Sequence, residues 1–196
     1  MRRKFPKISI HPLCIPSFLF FLLLDCRILI PLFAATIHEA GHLFAISLCK
    51  KRISEIYITP LGAEIRLVSS VSSYISDIFI SLSGISANAL SVILCLISPH
   101  SEYMSLFFLS NIALALFNSL PVSGLDGGEA LRTFLSAITD PDRSEKPCLI
   151  ISFLGVFILW LFTLYSLFYF NESFSLFFSS AYLFLSAVWH KGARGI

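Results

Sequence analysis

One short stretch of the chain carries residues that can hold a metal ion and act on water. It reads Ala35-Thr36-Ile37-His38-Glu39-Ala40-Gly41-His42-Leu43-Phe44. On a helix, His38 and His42 lie one turn apart on the same face, so their imidazoles can bind one metal ion. Glu39 is offset around the helix and reaches a water molecule at the metal. The stretch therefore predicts a hydrolytic zinc site.

The setting of this stretch is an apolar run from Ile28 to Leu48. An ionisable side chain inside a membrane-spanning helix costs roughly 3 kcal/mol unless it is paired or binds a ligand, so such residues mark a functional site by default. The alternative is that the two histidines are satisfied by hydrogen bonds within the helix bundle.

The composition is that of an integral membrane protein. Of the 196 residues, 56% are hydrophobic and only 13% are charged, and the mean hydropathy is +0.83. Such a chain is too apolar for an ordinary soluble fold, and its length predicts a single polytopic domain over residues 1–196. We expect no nucleic-acid partner, because no long basic run or RNA-binding signature is present.

Six apolar runs predict an all-α integral membrane bundle of about six transmembrane helices. They cover residues 12–24, 28–48, 74–98, 104–120, 148–170 and 174–189, of which the first and fourth are short. Basic residues follow the second, fourth and sixth runs, and the positive-inside rule assigns those ends to the cytoplasm. The prediction is a multi-pass protein of the cell membrane with both termini cytoplasmic, and only Arg27 departs from the rule.

Between the second and third runs, Ile53–Ile58 and Ala63–Val68 are rich in β-branched residues and partly alternating. The intervening Thr59–Gly62 contains Pro60 at a position that suits a type I turn. The pattern predicts a small membrane-associated β-hairpin. It is either a cap on the cytoplasmic face or an exposed strand edge that pairs with an extended peptide. Further on, residues 128–137 are expected to form a short helix and 139–147 a polar linker.

A catalytic zinc site usually takes three protein ligands, so one more ligand is needed. Asp77 lies four residues into the third run and is also explained as an interfacial carboxylate. Asp126 lies where Pro121 and Gly124 interrupt the fourth run, and broken helices at membrane depth are tolerated where they line a cavity. Its alternative is a plain Asp-Gly turn at the membrane surface. The remaining candidates are poorly placed at span ends or on the opposite face: His11, His100, His190, Asp25, Glu102 and Glu172.

Two motifs in fixed order, His38-Glu39-x-x-His42 and Asn118-x-x-Pro121-x-x-x-x-Asp126-Gly127, resemble the site-2 protease family of intramembrane zinc metalloproteases. Gly84-x-x-x-Asn88 resembles, more weakly, a third segment of that family. The resemblance covers a catalytic core at about residues 28–132. It implies one Zn²⁺ per chain held by His38, His42 and Asp126, with Glu39 as the general base.

The resemblance also gives Asn88, Asn118 and Gly84 a role in holding the substrate backbone or the developing oxyanion. Their alternatives are structural. The two asparagines can instead join helices by hydrogen bonds, and Gly84 can belong to a close-packing face with Ala87 and Ser91.

The implied activity is hydrolysis of peptide bonds in membrane-anchored proteins near the cytoplasmic face, as in regulated intramembrane proteolysis of a tethered transcription factor or sigma-factor precursor. The compact layout is most similar to the sporulation branch of the family. No PDZ-like insertion and no CBS domain are expected. The partners are the substrate and the lipid bilayer, and the sequence leaves a regulatory membrane partner or a homo-oligomer open. The rival reading is a proteolytically inactive metal-binding membrane protein or a transporter, although the chain shows no repeat symmetry.

Overall fold

The computed structural model describes residues 6–59, 62–68, 73–98, 101–139 and 141–170. In chain order the elements are β1 Lys7–Ile10, α1 Cys14–Leu24, a 3-10 turn Cys26–Ile28, α2 Leu29–Leu48, β2 Ile53–Thr59, β3 Gly62–Leu67, α3 Tyr74–Leu96, α4 Glu102–Asn118, α5 Asp126–Ile138 and α6 Pro141–Phe170. They fall into two compact units, Met1–Phe117 and Asn118–Ile196. Three predictions lie outside the described residues: the sixth span, the central turn residues Pro60 and Leu61, and the placement of His100, Glu172 and His190.

Three helical segments of the described chain are long and apolar enough to cross a membrane, namely Cys26–Leu48, Tyr74–Leu96 and Ser144–Leu161. They correspond to the predicted second, third and fifth spans. Helix α1 has 11 residues and α4 has 17, which is fewer than the roughly 20 needed to cross the hydrocarbon. The prediction of a mostly helical membrane bundle with a small sheet is confirmed.

Helices α2 and α3 pack against each other through small residues. A Cβ added to Gly41 would lie 2.6 Å from the carbonyl oxygen of Ser83 and 2.8 Å from the Cβ of Ala87. Both distances are well inside van der Waals contact, so the helices approach this closely only because residue 41 is glycine. Small residues of this kind are typical of helix contacts in membranes.

Ion pairs join both ends of α2 to neighbouring elements. Lys51, just past the carboxyl end of α2, pairs with Asp77 in the first turn of α3. Arg27, just before the amino end of α2, pairs with Glu102 at the start of α4, with Nη1 and Oε1 2.9 Å apart. The first pair, together with the contact of Gly41 with Ser83 and Ala87 farther along both helices, shows that α2 and α3 run antiparallel. The second provides a partner for Arg27, the basic residue that departs from the charge rule.

The predicted hairpin is present, since β2 and β3 pair antiparallel from Thr59↔Gly62 to Ile53↔Leu67. The structure adds a third strand, because β1 pairs parallel with β2 and the sheet order is β1-β2-β3. The sequence pattern does not predict this third strand. Residues 7–10 pair with β2, the Ser9 hydroxyl donates to Glu55 Oε1 at 2.8 Å across the pair, and the helices between β1 and β2 supply the long crossover that a parallel pair needs.

In the second unit, the short helix expected at residues 128–137 is present as α5. The polar linker expected at 139–147 is wrong, because α6 begins at Pro141 and continues through Pro147. Proline suits the first position of a helix, where its missing N–H would have no intrahelical partner. Nearby, the hydroxyls of Ser136 and Ser144 lie 2.9 Å apart and connect α5 to the start of α6.

Candidate active site

Helix α2 carries the His-Glu-x-x-His stretch in its second half, as the spacing requires. His38 is buried, with 6% of its surface exposed, while Glu39 and His42 are partly buried. The ring centroids of the two histidines are 4.9 Å apart and their planes are at 80°. The structure therefore places the two predicted imidazole ligands side by side.

The hydrogen bonds of His42 determine which of its ring nitrogens carries the proton. Its Nδ1 lies 2.8 Å from the backbone carbonyl oxygen of Ile80. A carbonyl oxygen only accepts, so Nδ1 of His42 donates. In the neutral ring, Nε2 is then left with its lone pair.

The same conclusion holds for His38, through the side chain of Asn88. His38 Nδ1 lies 2.6 Å from Asn88 Oδ1. The amide nitrogen of Asn88 donates to the backbone carbonyl oxygen of Ala34 at 3.2 Å and to Asn111 Oδ1 at 2.9 Å. Because this orientation turns Oδ1 toward His38, Nδ1 of the ring donates and Nε2 keeps its lone pair.

The two Nε2 atoms face each other at 3.2 Å. Two lone pairs at this distance repel each other unless a proton or a cation lies between them. Two nitrogens at 2.0–2.1 Å from a tetrahedral Zn²⁺ are roughly 3.3 Å apart. The donor set of His38 and His42, with both Nδ1 atoms held by oxygen acceptors, fits two ligands of one zinc ion.

Gly84 lies directly beside the imidazoles. A Cβ at this position would collide with His42 Nε2 and would lie 2.7 Å from Cε1 and 2.8 Å from Nε2 of His38. Residue 84 is buried. The absence of a side chain here keeps open the space at the two lone pairs. This role differs from the substrate-binding and close-packing roles that the sequence suggested for Gly84.

Asn88 is fully buried and joins three helices. Through the bonds already described it contacts α2 at His38 and Ala34, and α4 at Asn111. These contacts correspond to the alternative in which the asparagine links helices. They also make Asn88 the direct partner of a predicted metal ligand.

Asn111 was missed by the sequence analysis. It is fully buried in the middle of α4, and its amide nitrogen donates to Phe107 O at 2.8 Å. The signal that marks it is a lone amide side chain within an apolar run, because such groups are costly in hydrocarbon without a partner.

The segment 119–125, between α4 and α5, is not helical, as the proline and glycine in the fourth run predicted. It turns through backbone bonds from Val122 N to Leu120 O at 2.8 Å and from Leu125 N to Val122 O at 3.0 Å. Gly124 has φ +94°, which L side chains rarely adopt. The predicted ligand Asp126 is the first residue of α5 and is partly buried. Asn118 is the last residue of α4.

The two glycines that follow Asp126 fix the start of α5 against this segment. A Cβ on Gly127 would collide with Ser119 O, and one on Gly128 would collide with Val122 O. The backbone before and after Asp126 is thus in close contact. Asp77, the other carboxylate considered as a ligand, is instead paired with Lys51.

Residues 96–162 match the sequence model of peptidase family M50. The matched segment contains Asn118 and Asp126, whereas His38 and His42 precede it. No curated protein sequence matches the chain. Among solved structures, the Site-2 Protease from Methanocaldococcus jannaschii superposes with a TM-score of 0.65, at 19% sequence identity, over 95% of this chain and 92% of that chain.

Proposed function

We propose that the chain is a membrane metalloprotease of the site-2 protease family that cuts membrane-anchored proteins within the bilayer. The match of residues 96–162 to peptidase family M50 and the superposition on a site-2 protease support this proposal. The observation that carries the proposal is the facing pair of Nε2 atoms, 3.2 Å apart on the helix that also bears Glu39. Two imidazoles and a nearby carboxylate are the parts that zinc-dependent peptide hydrolysis requires.

We assign His38, His42 and Asp126 as the ligands of one zinc ion per chain. The tautomers of the two histidines support the first two assignments. The third is supported by the place of Asp126 at a helix start within the segment that matches peptidase family M50. Two imidazoles and a carboxylate suit zinc well.

Zinc, when bound, polarises the scissile carbonyl and makes a water molecule more acidic. Glu39 accepts a proton from that water as it attacks the peptide, and then delivers the proton to the leaving amine. Asn118 offers its amide to the substrate backbone or to the developing oxyanion. Asn88 acts differently, since it holds Nδ1 of His38 and keeps the lone pair of Nε2 directed at the ligand position.

The substrate must be extended at the cleavage site, because a helix hides its amides in internal hydrogen bonds. We propose that the substrate adds as a strand beside β3. The support is the sheet order, in which β3 is an edge strand of the described sheet and pairs with β2 on its other side. Main-chain pairing of this kind gives affinity with little demand on sequence.

The site is assigned to the cytoplasmic half of the membrane. Lys50, Lys51 and Arg52 follow α2, and basic residues favour the cytoplasmic side. His42 precedes Lys50 by two turns of helix, which is about 12 Å along the axis. A membrane-tethered transcription factor or sigma-factor precursor would be released toward the cytoplasm from such a site.

The experiment uses purified protein in liposomes with a fluorescent membrane-tethered substrate. Glu39→Gln is expected to bind zinc as the unaltered protein does but to cleave about 10²–10⁴-fold more slowly, because a general base is lost. Glu102→Gln is the matched control, since Glu102 pairs with Arg27 at the start of α4, and it should leave cleavage unchanged.

Undiminished cleavage by Glu39→Gln would overturn the assigned mechanism. Metal-dependent ion flux without cleavage by the unaltered protein would favour the rival function of a transporter.

A further inference from the structure

We propose that Asn111 is a positioning residue, which acts through Asn88 to hold His38 in the tautomer that directs the Nε2 lone pair to the metal. The inference deepens the proposed function and rests on it for the metal. It assigns a role to a residue on α4, a helix that carries neither histidine ligand.

Each hydrogen bond in the chain of amides from α4 to His38 has a defined direction. Phe107 O is a backbone carbonyl oxygen and accepts from Asn111 Nδ2 at 2.8 Å. Oδ1 of Asn111 is therefore turned toward Asn88, whose Nδ2 lies 2.9 Å away. The backbone of α4 thus sets the orientation of Asn111, and Asn111 supports one orientation of Asn88.

An amide can rotate by 180° at little cost in shape, so its partners decide which way it points. In the rotated state, Oδ1 of Asn88 would face two acceptors, Ala34 O and Asn111 Oδ1. Its NH₂ group would face Nδ1 of His38, and the favoured tautomer would change to the one protonated at Nε2. A ring protonated at Nε2 cannot offer that atom to a metal.

Because the site is buried, the orientation of the Asn88 amide decides whether its polar atoms have hydrogen-bond partners. Asn88 and Asn111 are both 0% exposed, so their polar atoms depend on the partners the bundle provides. Two serines of these helices behave differently. The hydroxyl of Ser91 donates to Ala87 O, and that of Ser110 donates to Leu106 O, each one turn back on its own helix. Asn111 reaches across to another helix, which a merely tolerated polar residue need not do.

The test measures zinc affinity in detergent micelles by competition with a chromophoric chelator, together with the His38 tautomer from long-range ¹⁵N–¹H spectra of the metal-free protein. Asn111→Leu keeps the branched shape of the side chain but removes the acceptor. It is expected to weaken zinc binding about tenfold, the lower end of the effect of losing a hydrogen-bond partner of a ligand. The His38 signal should shift away from the form protonated at Nδ1.

Two further variants separate positioning from structure. Asn111→Asp, uncharged when buried, can donate to Phe107 O and accept from Asn88, and it is expected to restore affinity to within about threefold of the unaltered protein. Ser91→Ala removes a buried hydroxyl and should change neither affinity nor tautomer. Asn111→Ala carries the same expectation as Asn111→Leu and replaces it if the leucine variant does not fold.

Asn111→Leu with unchanged zinc affinity and an unchanged His38 tautomer would overturn the proposal, as would an Asn111→Asp variant that behaves like leucine. These results are distinct from failure of the proposed function, in which the unaltered protein would not bind zinc or would not cleave. Even if the unaltered protein does not bind zinc or cleave, the His38 tautomer in the metal-free protein still tests the role of Asn111.

Discussion

The histidine region and the aspartate region position their proposed metal ligands by different means. In the histidine region, helices α2 and α3 hold the imidazoles through side-chain hydrogen bonds to Asn88 and Ile80 O. In the aspartate region, residues 118–128, the backbone turn and the close approach of Gly127 and Gly128 place Asp126 at the start of α5. Substitutions in the first region should therefore change metal affinity with little change in folding, whereas those in the second should also disturb the backbone.

The largest effect that tests this comparison is expected from Asp126→Asn. An amide is a much poorer zinc ligand than a carboxylate, so zinc affinity should fall about a hundredfold or more, beyond the loss caused by removing a ligand's hydrogen-bond partner. Cleavage should be lost with it. Asp77→Asn is the matched control, because it removes a carboxylate that pairs with Lys51. If zinc binding survives Asp126→Asn and falls in Asp77→Asn, the third ligand has been assigned to the wrong carboxylate.

An intermediate effect is expected from adding one methyl group in each region. Gly84→Ala places a Cβ against both imidazoles and should weaken zinc binding about tenfold, as for other changes that disturb a ligand's support. Gly127→Ala places a Cβ against the backbone oxygen of Ser119 and should lower the free energy of unfolding by about 1–3 kcal/mol. Chelator competition and thermal unfolding measure the two effects. The comparison fails if Gly84→Ala lowers stability alone, or if Gly127→Ala leaves stability unchanged.

The smallest effect is expected in the sheet, outside both regions. The hydrogen bond from Ser9, aided by the charges of Lys7 and Arg66, lowers the pKa of Glu55 below its usual value despite partial burial. A lowered pKa in the folded state means that the stabilisation is present above the usual carboxyl pKa and is lost as pH falls through the folded value. The protection factors of the β1 amides, which are corrected for the intrinsic pH dependence of amide exchange, should therefore fall in mildly acidic buffer.

Ser9→Ala is the control for the sheet, because it removes the first cause of the lowered pKa. It should reduce the pH dependence of the protection factors in β1. Equal pH dependence in the Ser9→Ala variant and in the unaltered protein would show that the Glu55 carboxylate does not hold this strand.

The sequence predicted those features that depend on spacing along one element. His38 and His42 share a helix face because they are four residues apart, and the hairpin follows from two runs of β-branched residues. Strand β1 was not recognised, because four residues pair in parallel with a strand more than forty residues away. The start of α6 at Pro141 was missed because polar, proline-containing residues were taken to exclude a helix.

The hydrogen-bond partners of the site residues could not be predicted from the sequence, for a physical reason. Which acceptor faces Nδ1 of each histidine depends on the rotation of α3 and α4 against α2, and no local pattern records it. Asn88 was singled out by a motif, but Asn111 carries only the weak signal of one amide in an apolar run. The collision that a Cβ at Gly84 would meet likewise appears only when the helices are packed.

X-ray absorption spectroscopy at the zinc edge, with elemental analysis, tests the proposed zinc site most directly when applied to the unaltered protein and to His42→Ala and Asp126→Asn. We predict one zinc per chain with scattering from two imidazole rings in the unaltered protein, and loss of zinc from both variants. A spectrum without imidazole scattering, or zinc that remains fully bound in His42→Ala, would contradict the assignment of this site.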